Sequence, residues 1–441
     1  MSFPELPDPV TWTPGQTLTE SWLRADPGNL AWLLTKRPLL ICAQLTTGQS
    51  IPGSTVELVT FDSENVDNWN GHTIGSAYYN APLAGWYLAE GTVIFTAEEL
   101  AGYWTCGIEA VQDSVTTTLS GNILCGNEVN VAAPACADLV QLNPGTADKV
   151  AMYAEQTASG SPLDLSTAGA YFTCQWAGMP TSGFSDTVVP GVVVTSPQPA
   201  AAWPPGSGTL LTGSGVAAGG SVITVAATTG MVAGGSLGLD YYLGQPVTPA
   251  AEAVTIAGIS GGTVTTSPAA YPHGGTATPG YVAVPVSAAW MNQQVRDIIN
   301  FLAYPPMVRL HGASQTLDVQ TFPASTTISF TGSNLDNFSG WNGSTTYTFP
   351  VSGVYYVYGQ VPFEAEVNNY SAGISVSGGT VMWGDSIRAQ TALLACATVR
   401  KHIRVTAGQT LTLHACVTNN NVALQNTATT YATLIAIFRG F

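Results

Sequence analysis

Of the side chains in this sequence that could do chemistry, two short runs stand out. Asp62, Glu64, Asn65 and Asp67 crowd into one short run, and Asn334, Asp336 and Asn337 into a second. Carboxylate and carboxamide oxygens this close together suit Ca²⁺, which takes roughly six to eight oxygen ligands. The set for such a site would be Asp62, Glu64, Asp67 and Asp336. Asp and Asn at a turn also bond their own backbone. Since Asp67/Asp336, Asn65/Asn334 and Asn68/Asn337 alone recur between the runs, a turn is the simpler reading and calcium the alternative. Trp69, Trp341 and Trp383 fall in predicted loops, where an indole can stack on a sugar ring. Packing against a sheet is the commoner fate of Trp, and a saccharide pocket also needs converging polar groups.

Signatures of catalysis do not assemble. His72, His273, His311, His402 and His414 are scattered, with no second His or carboxylate at metal-ligand spacing. Gly234-Gly235-Ser236-Leu237-Gly238 spells Gly-x-Ser-x-Gly, but a nucleophile elbow needs a strand before the Ser and a helix after it. Both flanks here are Gly-rich and strand-like, so a turn running into a strand is expected. There is no phosphate-cradling loop. The expectation is a protein that binds and builds, with no cofactor beyond the calcium considered above.

The background composition points the same way. Only 9% of residues are charged, against about 25% in a typical soluble domain. A surface so poor in charge is safe when copies of the chain or a larger assembly cover much of it. Acidic residues number 27 against 11 basic, a net charge of −16, which disfavours nucleic acid and anionic membranes as partners. The opening Met1-Ser2-Phe3-Pro4-Glu5 has no basic region leading into an apolar run, and no stretch reaches spanning length, so neither a cleaved signal nor membrane insertion is expected. Seven cysteines lack any CxxC; they read as small buried thiols, with Cys125 and Cys136 the pair closest to a bridge.

An internal repeat organises the chain. Trp22 recurs as Trp290, Leu34 as Leu302 and Pro38 as Pro306, at an offset of 268 (290 − 22). Phe61 to Trp69 aligns with Phe330 to Phe338, Pro82 to Tyr87 with Pro350 to Tyr355, and Ala170 to Gly178 with Ala432 to Gly440. The expected organisation is an N-terminal docking segment 1–18, a first unit 19–180, a Pro/Gly-rich connector with a small β-module 181–286, and a second unit 287–441 forming a C-terminal head. Alternation through Tyr355 to Val361, and the turn Ala407-Gly408-Gln409 followed by Thr410-Leu411-Thr412-Leu413, predict antiparallel sandwiches. Short strands near 221–225, 236–239, 253–256 and 263–266 predict the central module. Tyr431 to Phe438 is almost wholly apolar, as in a strand covered on both faces. Its second cover is expected to be a neighbouring chain. Ahead of the second sandwich, Ser287 can cap a helix whose Trp290, Ile298, Phe301 and Leu302 share one stripe and which Pro305-Pro306 ends.

Gly353-Val354-Tyr355-Tyr356-Val357-Tyr358-Gly359-Gln360-Val361, the Val405 to Leu413 hairpin and the apolar terminal strand together resemble the jelly roll of the complement globular head and tumour-necrosis-factor superfamily. The resemblance covers about 120 residues of the second unit and, more loosely, the first. It implies an all-β chain of two antiparallel jelly-roll sandwiches with short lead-in helices. It also implies a homotrimer, with Trp290, Ile298, Phe301, Leu302, Leu434, Ile435, Ile437 and Phe438 at the interface. The Trp290-Met291-Asn292…Val295-Arg296-Asp297…Asn300-Phe301-Leu302…Pro305-Pro306 string looks like the junction found in minor tail and fibre proteins of tailed bacteriophages. That implies a virion structural protein, docked to other virion proteins by its N-terminal segment and contacting a host cell-surface glycan. The alternatives are a capsid decoration or head-fibre protein and, third, a glycan depolymerase.

Overall fold

A computed structural model of the chain describes residues 37–179, 208–283 and 301–440, apart from internal stretches within each span. The N-terminal docking segment, Trp290 and Ile298 lie outside the described residues. The chain divides into two compact units, one holding both sandwiches and the other the central module.

The first sandwich has one sheet in the order Ala135–Leu142, Gly85–Thr92, Tyr171–Gly178, Leu39–Gln44, Ser63–Asp67. Its other sheet runs Glu57–Leu58, Lys149–Gln156, Gly102–Gln112, Val115–Gly126, with Tyr78–Asn80 also on Lys149–Gln156. The second sandwich repeats this strand for strand: Ala395–Val405, Gly353–Phe363, Thr433–Gly440, Met307–His311, Gly332–Asp336 in one sheet. Thr326–Thr327, Thr410–Val417, Asn368–Val376 and Met382–Ala389 make the other, with Thr346–Thr348 on Thr410–Val417. All these pairs are antiparallel, and apart from one hairpin in each sandwich the neighbours in the sheets are distant in sequence, so each sandwich is a jelly roll.

Period-two alternation decides which side chains go where. From Gly353–Phe363, Tyr355, Val357, Val361 and Phe363 enter the core of the second sandwich. Phe349, Tyr355, Phe438 and Phe301 form a chain of rings there, with centroids 4.7 to 5.4 Å apart. Residues 301–303 are the helical lead-in that the structure describes. Phe301 is thus a core residue of its own sandwich, as are Leu434 and Phe438, and Leu302 is half-buried. Ile435 and Ile437, on the opposite side of the last strand, do face outward.

The last strand is covered on both faces, but the second cover is the first sandwich of the same chain, not the neighbouring chain expected from sequence. Ile435 and Ile437 join Met307, Leu335, Tyr356 and Tyr358 in an apolar seam against Trp86, Leu88, Ala137, Leu139 and Ala177. Within the same unit, Arg309, 2% exposed, reaches the fully buried Asp138 with Nη2 donating to Oδ2 at 2.9 Å and to the Tyr431 hydroxyl at 3.1 Å. Burial opposes the guanidinium charge, yet Asp138 and Tyr431 outweigh it and raise the Arg309 pKa. The Tyr356 hydroxyl donates to Glu90 across the seam.

The central module is a six-stranded sheet ordered Gly208–Leu210, Tyr281–Ala283, Ser236–Leu239, Glu252–Ser260, Thr263–Thr266, Val222–Thr224. Ile223, Leu237, Leu239, Val254, Ile256 and Val264 form its own small core. Gly261, at φ 57°, supplies the left-handed residue of its tightest hairpin. No helix among the described residues is long and apolar enough to cross a membrane.

The seam yields a stability prediction. Asp138→Ala strands a buried guanidinium and should cost about 3–5 kcal/mol in urea unfolding. Arg309→Met combined with Asp138→Leu should recover most of that loss. A double variant no more stable than Asp138→Ala would show that the seam needs the charges themselves.

Candidate functional site

The repeated acidic run is an edge strand in each sandwich, Ser63–Asp67 and Gly332–Asp336, that ends in a tight turn. Asn68 clamps the first strand from both sides, accepting from Leu39 N at 2.8 Å and donating to Arg37 O at 2.7 Å. Asn337 does the same to Met307 N at 2.8 Å and Pro305 O at 2.7 Å. The neighbouring aspartates fold the loop onto itself. Asp336 accepts from Gly340 N and Trp341 N, both at 2.9 Å, and Asp67 from Trp69 N at 3.2 Å and His72 N at 2.8 Å. Left-handed residues follow at matching places, Asn70 (φ 51°) and Ser339 (φ 53°). Next come Gly71 and Gly340, pressed so closely on the rings of Tyr79 and Tyr347 that a Cβ would collide.

These bonds settle what the oxygens do. Asp62 accepts from Thr47 N at 3.0 Å and Thr47 Oγ1 at 2.6 Å, and Glu64 pairs with Nδ1 of the buried His72 at 3.0 Å. Asp62, Glu64, Asp67 and Asp336 therefore do not converge, and no group of three or more His, Cys, Asp or Glu side chains among the described residues could hold a metal ion. The Glu64–His72 pair was hidden in sequence, because the loop between them folds back. Ser236 opens the strand Ser236–Leu239, and residues 233–234 ahead of it form a turn.

The three tryptophans part company. Trp341 packs against the second core and donates Nε1 to Ser344 O at 3.2 Å; Trp69 is half-buried in the matching loop. Trp383 lines a cavity of about 360 Å³ together with Ala135, Gly384, Thr398, Arg400 and Lys401. Phe322 packs on the Trp383 ring, centroids 5.0 Å apart and tilted by 43°. Arg400 lies over the Tyr358 ring at 5.6 Å, and its buried Nη2 has no hydrogen-bond partner. Lys401 is exposed. Sequence reading missed this meeting of cations and indole. The available signal was Arg400-Lys401, one of two adjacent basic pairs in a chain with 11 basic residues. The described cysteines are free, buried thiols, as expected; Cys136 stands beside Cys106 in the interior, and burial pushes the Cys106 thiol well up.

In comparisons with known proteins, no family model matches the chain, and no curated protein matches it. Among solved structures it is similar to murine APRIL at pH 5.0, with 16% identity, a TM-score of 0.26, and 32% of this chain and 99% of that one covered. It is also similar to the globular domain of zebrafish complement 1qA protein, with 15% identity, a TM-score of 0.24, and 32% and 94% covered. The jelly-roll assignment rests on strand order and register, independently of these likenesses.

If the loop carboxylates serve the fold, Asp336→Ala should lower stability by about 2 kcal/mol through the two lost amide bonds. Millimolar Ca²⁺ or a chelator should leave the melting temperature of the native protein unchanged. A rise of several degrees with Ca²⁺ in a thermal scan would restore the metal reading.

Proposed function

We propose that this chain is a structural protein of a tailed-bacteriophage particle, of minor-tail or fibre type, acting as a homotrimer in host-surface attachment and catalysing no reaction. The observation that carries the reading is the head-to-tail pairing of two equivalent jelly rolls. Arg309 occupies the place of Ile41 in the repeat, and Asp138 the place of Lys401, as the strand registers align them. A two-fold pairing would use each position twice. Here Arg309–Asp138 forms once, and Lys401 is exposed. Leu335 is buried in the seam at 8% exposure, while its counterpart Val66 remains 38% exposed. A head-to-tail contact leaves one unsatisfied end on each partner, and further copies satisfy it by closing a ring.

The rest of the reading follows from composition and order. A charge-poor surface suits a particle component covered by its neighbours. Segment 1–18 docks to other virion proteins, the first unit and central module act as stem, and the C-terminal unit is the host-facing head. Several copies of a weak site then give useful avidity. The lead-in string ending at Pro305-Pro306, with its likeness to tail-protein junctions, favours the tail over the shell.

Sedimentation equilibrium at micromolar concentration should return a species three times the 45.7 kDa chain mass. A stable monomer would overturn the ring. Gold-labelled antibody to the C-terminal unit should decorate the tail of intact particles; label on the shell would make the chain a capsid decoration or head-fibre protein instead.

A further inference from the structure

We infer that the cavity lined by Trp383, Thr398, Arg400 and Lys401 is a binding site for a carboxylate-bearing saccharide. This rests on the surface-attachment reading above and names the ligand class of that surface.

Its size, about 360 Å³, falls within the roughly 300–1,000 Å³ range of small-ligand sites. Its chemistry is unusual for this chain. In a protein carrying −16, a generic anion is repelled at long range, so an anionic ligand must be held by local cations. Arg400 and Lys401 both line the cavity, and as neighbours on the strand Ala395–Val405 they direct their side chains to its opposite faces. Arg400 has the planar fork that meets a carboxylate through two parallel N–H groups, and its Nη2 is buried with no acceptor in reach. A buried donor without a partner costs free energy, and a shift of the Arg400 side chain toward the cavity would let a carboxylate oxygen satisfy it. Burial opposes the Arg400 charge, but Tyr358, Tyr356 and Glu90 outweigh it and raise the Arg400 pKa, Glu90 offsetting part of the charge. Glu90 is itself engaged by the Tyr356 hydroxyl, and Lys401 stays open to solvent.

The indole separates a saccharide from a simple anion. Trp383 brings a flat apolar ring to the same cavity, steadied by Phe322 on the loop before Thr326–Thr327. Sugar rings present C–H faces that pack on indole while their substituents bond at the edge. Thr398 also lines the cavity, and Gly384 is pressed against Thr398 O and Val399, so a side chain there would intrude on the neighbouring strand. Ala135, from the first sandwich, completes the wall. The site therefore requires both sandwiches and is absent from either alone.

The test uses the full-length protein, with oligogalacturonate and oligosialate as acidic probes and their methyl esters as neutral controls, read by calorimetry and tryptophan fluorescence. At least one acidic probe should bind, with its ester at least tenfold weaker. Lys401→Gln and Trp383→Ala should each weaken binding at least fivefold with the unfolding midpoint unchanged. Lys401→Gln is the cleaner variant, since that side chain is exposed while Arg400 packs on Tyr358. Equal affinity for acid and ester, no binding of either acid, or full affinity in both variants overturns the site. Adhesion to cells of the host strain separates this from the broader reading. Adhesion unchanged in both variants removes the site and leaves attachment standing. Acid-selective binding without adhesion of the native protein keeps the site and removes attachment.

Discussion

Two sheets that each need a second cover obtain it from one another, and the molecule is organised around that seam. The outward faces of Gly353–Phe363 and Thr433–Gly440 are too apolar for water, and Trp86, Leu88 and Leu139 of the first sandwich meet them. Burial of large side chains drives the contact; Arg309 and Asp138 set its register, because a guanidinium and a carboxylate with so little exposure tolerate each other only when paired. A slide of one sheet past the other would separate the charges.

The same constraint explains why the two copies of the repeat have diverged where they have. Their loops keep Asp67-Asn68 and Asp336-Asn337, since each sandwich must close its own first strand in the same way. At the seam the copies differ, Ile41 against Arg309 and Lys401 against Asp138, because a head-to-tail contact asks different chemistry of its two sides. Duplication followed by asymmetric specialisation yields a chain whose paired sandwiches present new surfaces. The cavity holding Trp383, Arg400 and Lys401 is one of these, with a wall from each copy.

Much of the architecture was legible in the amino-acid sequence, for identifiable reasons. Period-two alternation through Tyr355 to Val361 and the offset of 268 (290 − 22) made the sandwiches and their duplication visible, because strand periodicity and repeat spacing are local or linear properties. The turn reading of Asp67 and Asp336 likewise followed from the short-range habit of Asp to bond its own loop. The double cover of the last strand was readable from its composition.

What covered that strand was not readable, since composition reports that a face is buried and never what lies against it. The partnership of Arg309 with Asp138, the turning inward of Phe301, Leu434 and Phe438, and the pairing of His72 with Glu64 all depend on where the chain returns in space. The sequence on its own determined strands, turns, the repeat and the scarcity of charge, which are set by neighbours along the backbone. Tertiary structure alone decided the seam, the thiol pair Cys106 and Cys136, and the cavity beside Trp383. Each of these joins residues far apart in the chain, and their contact is paid for by the packing of whole sheets, not by any local preference.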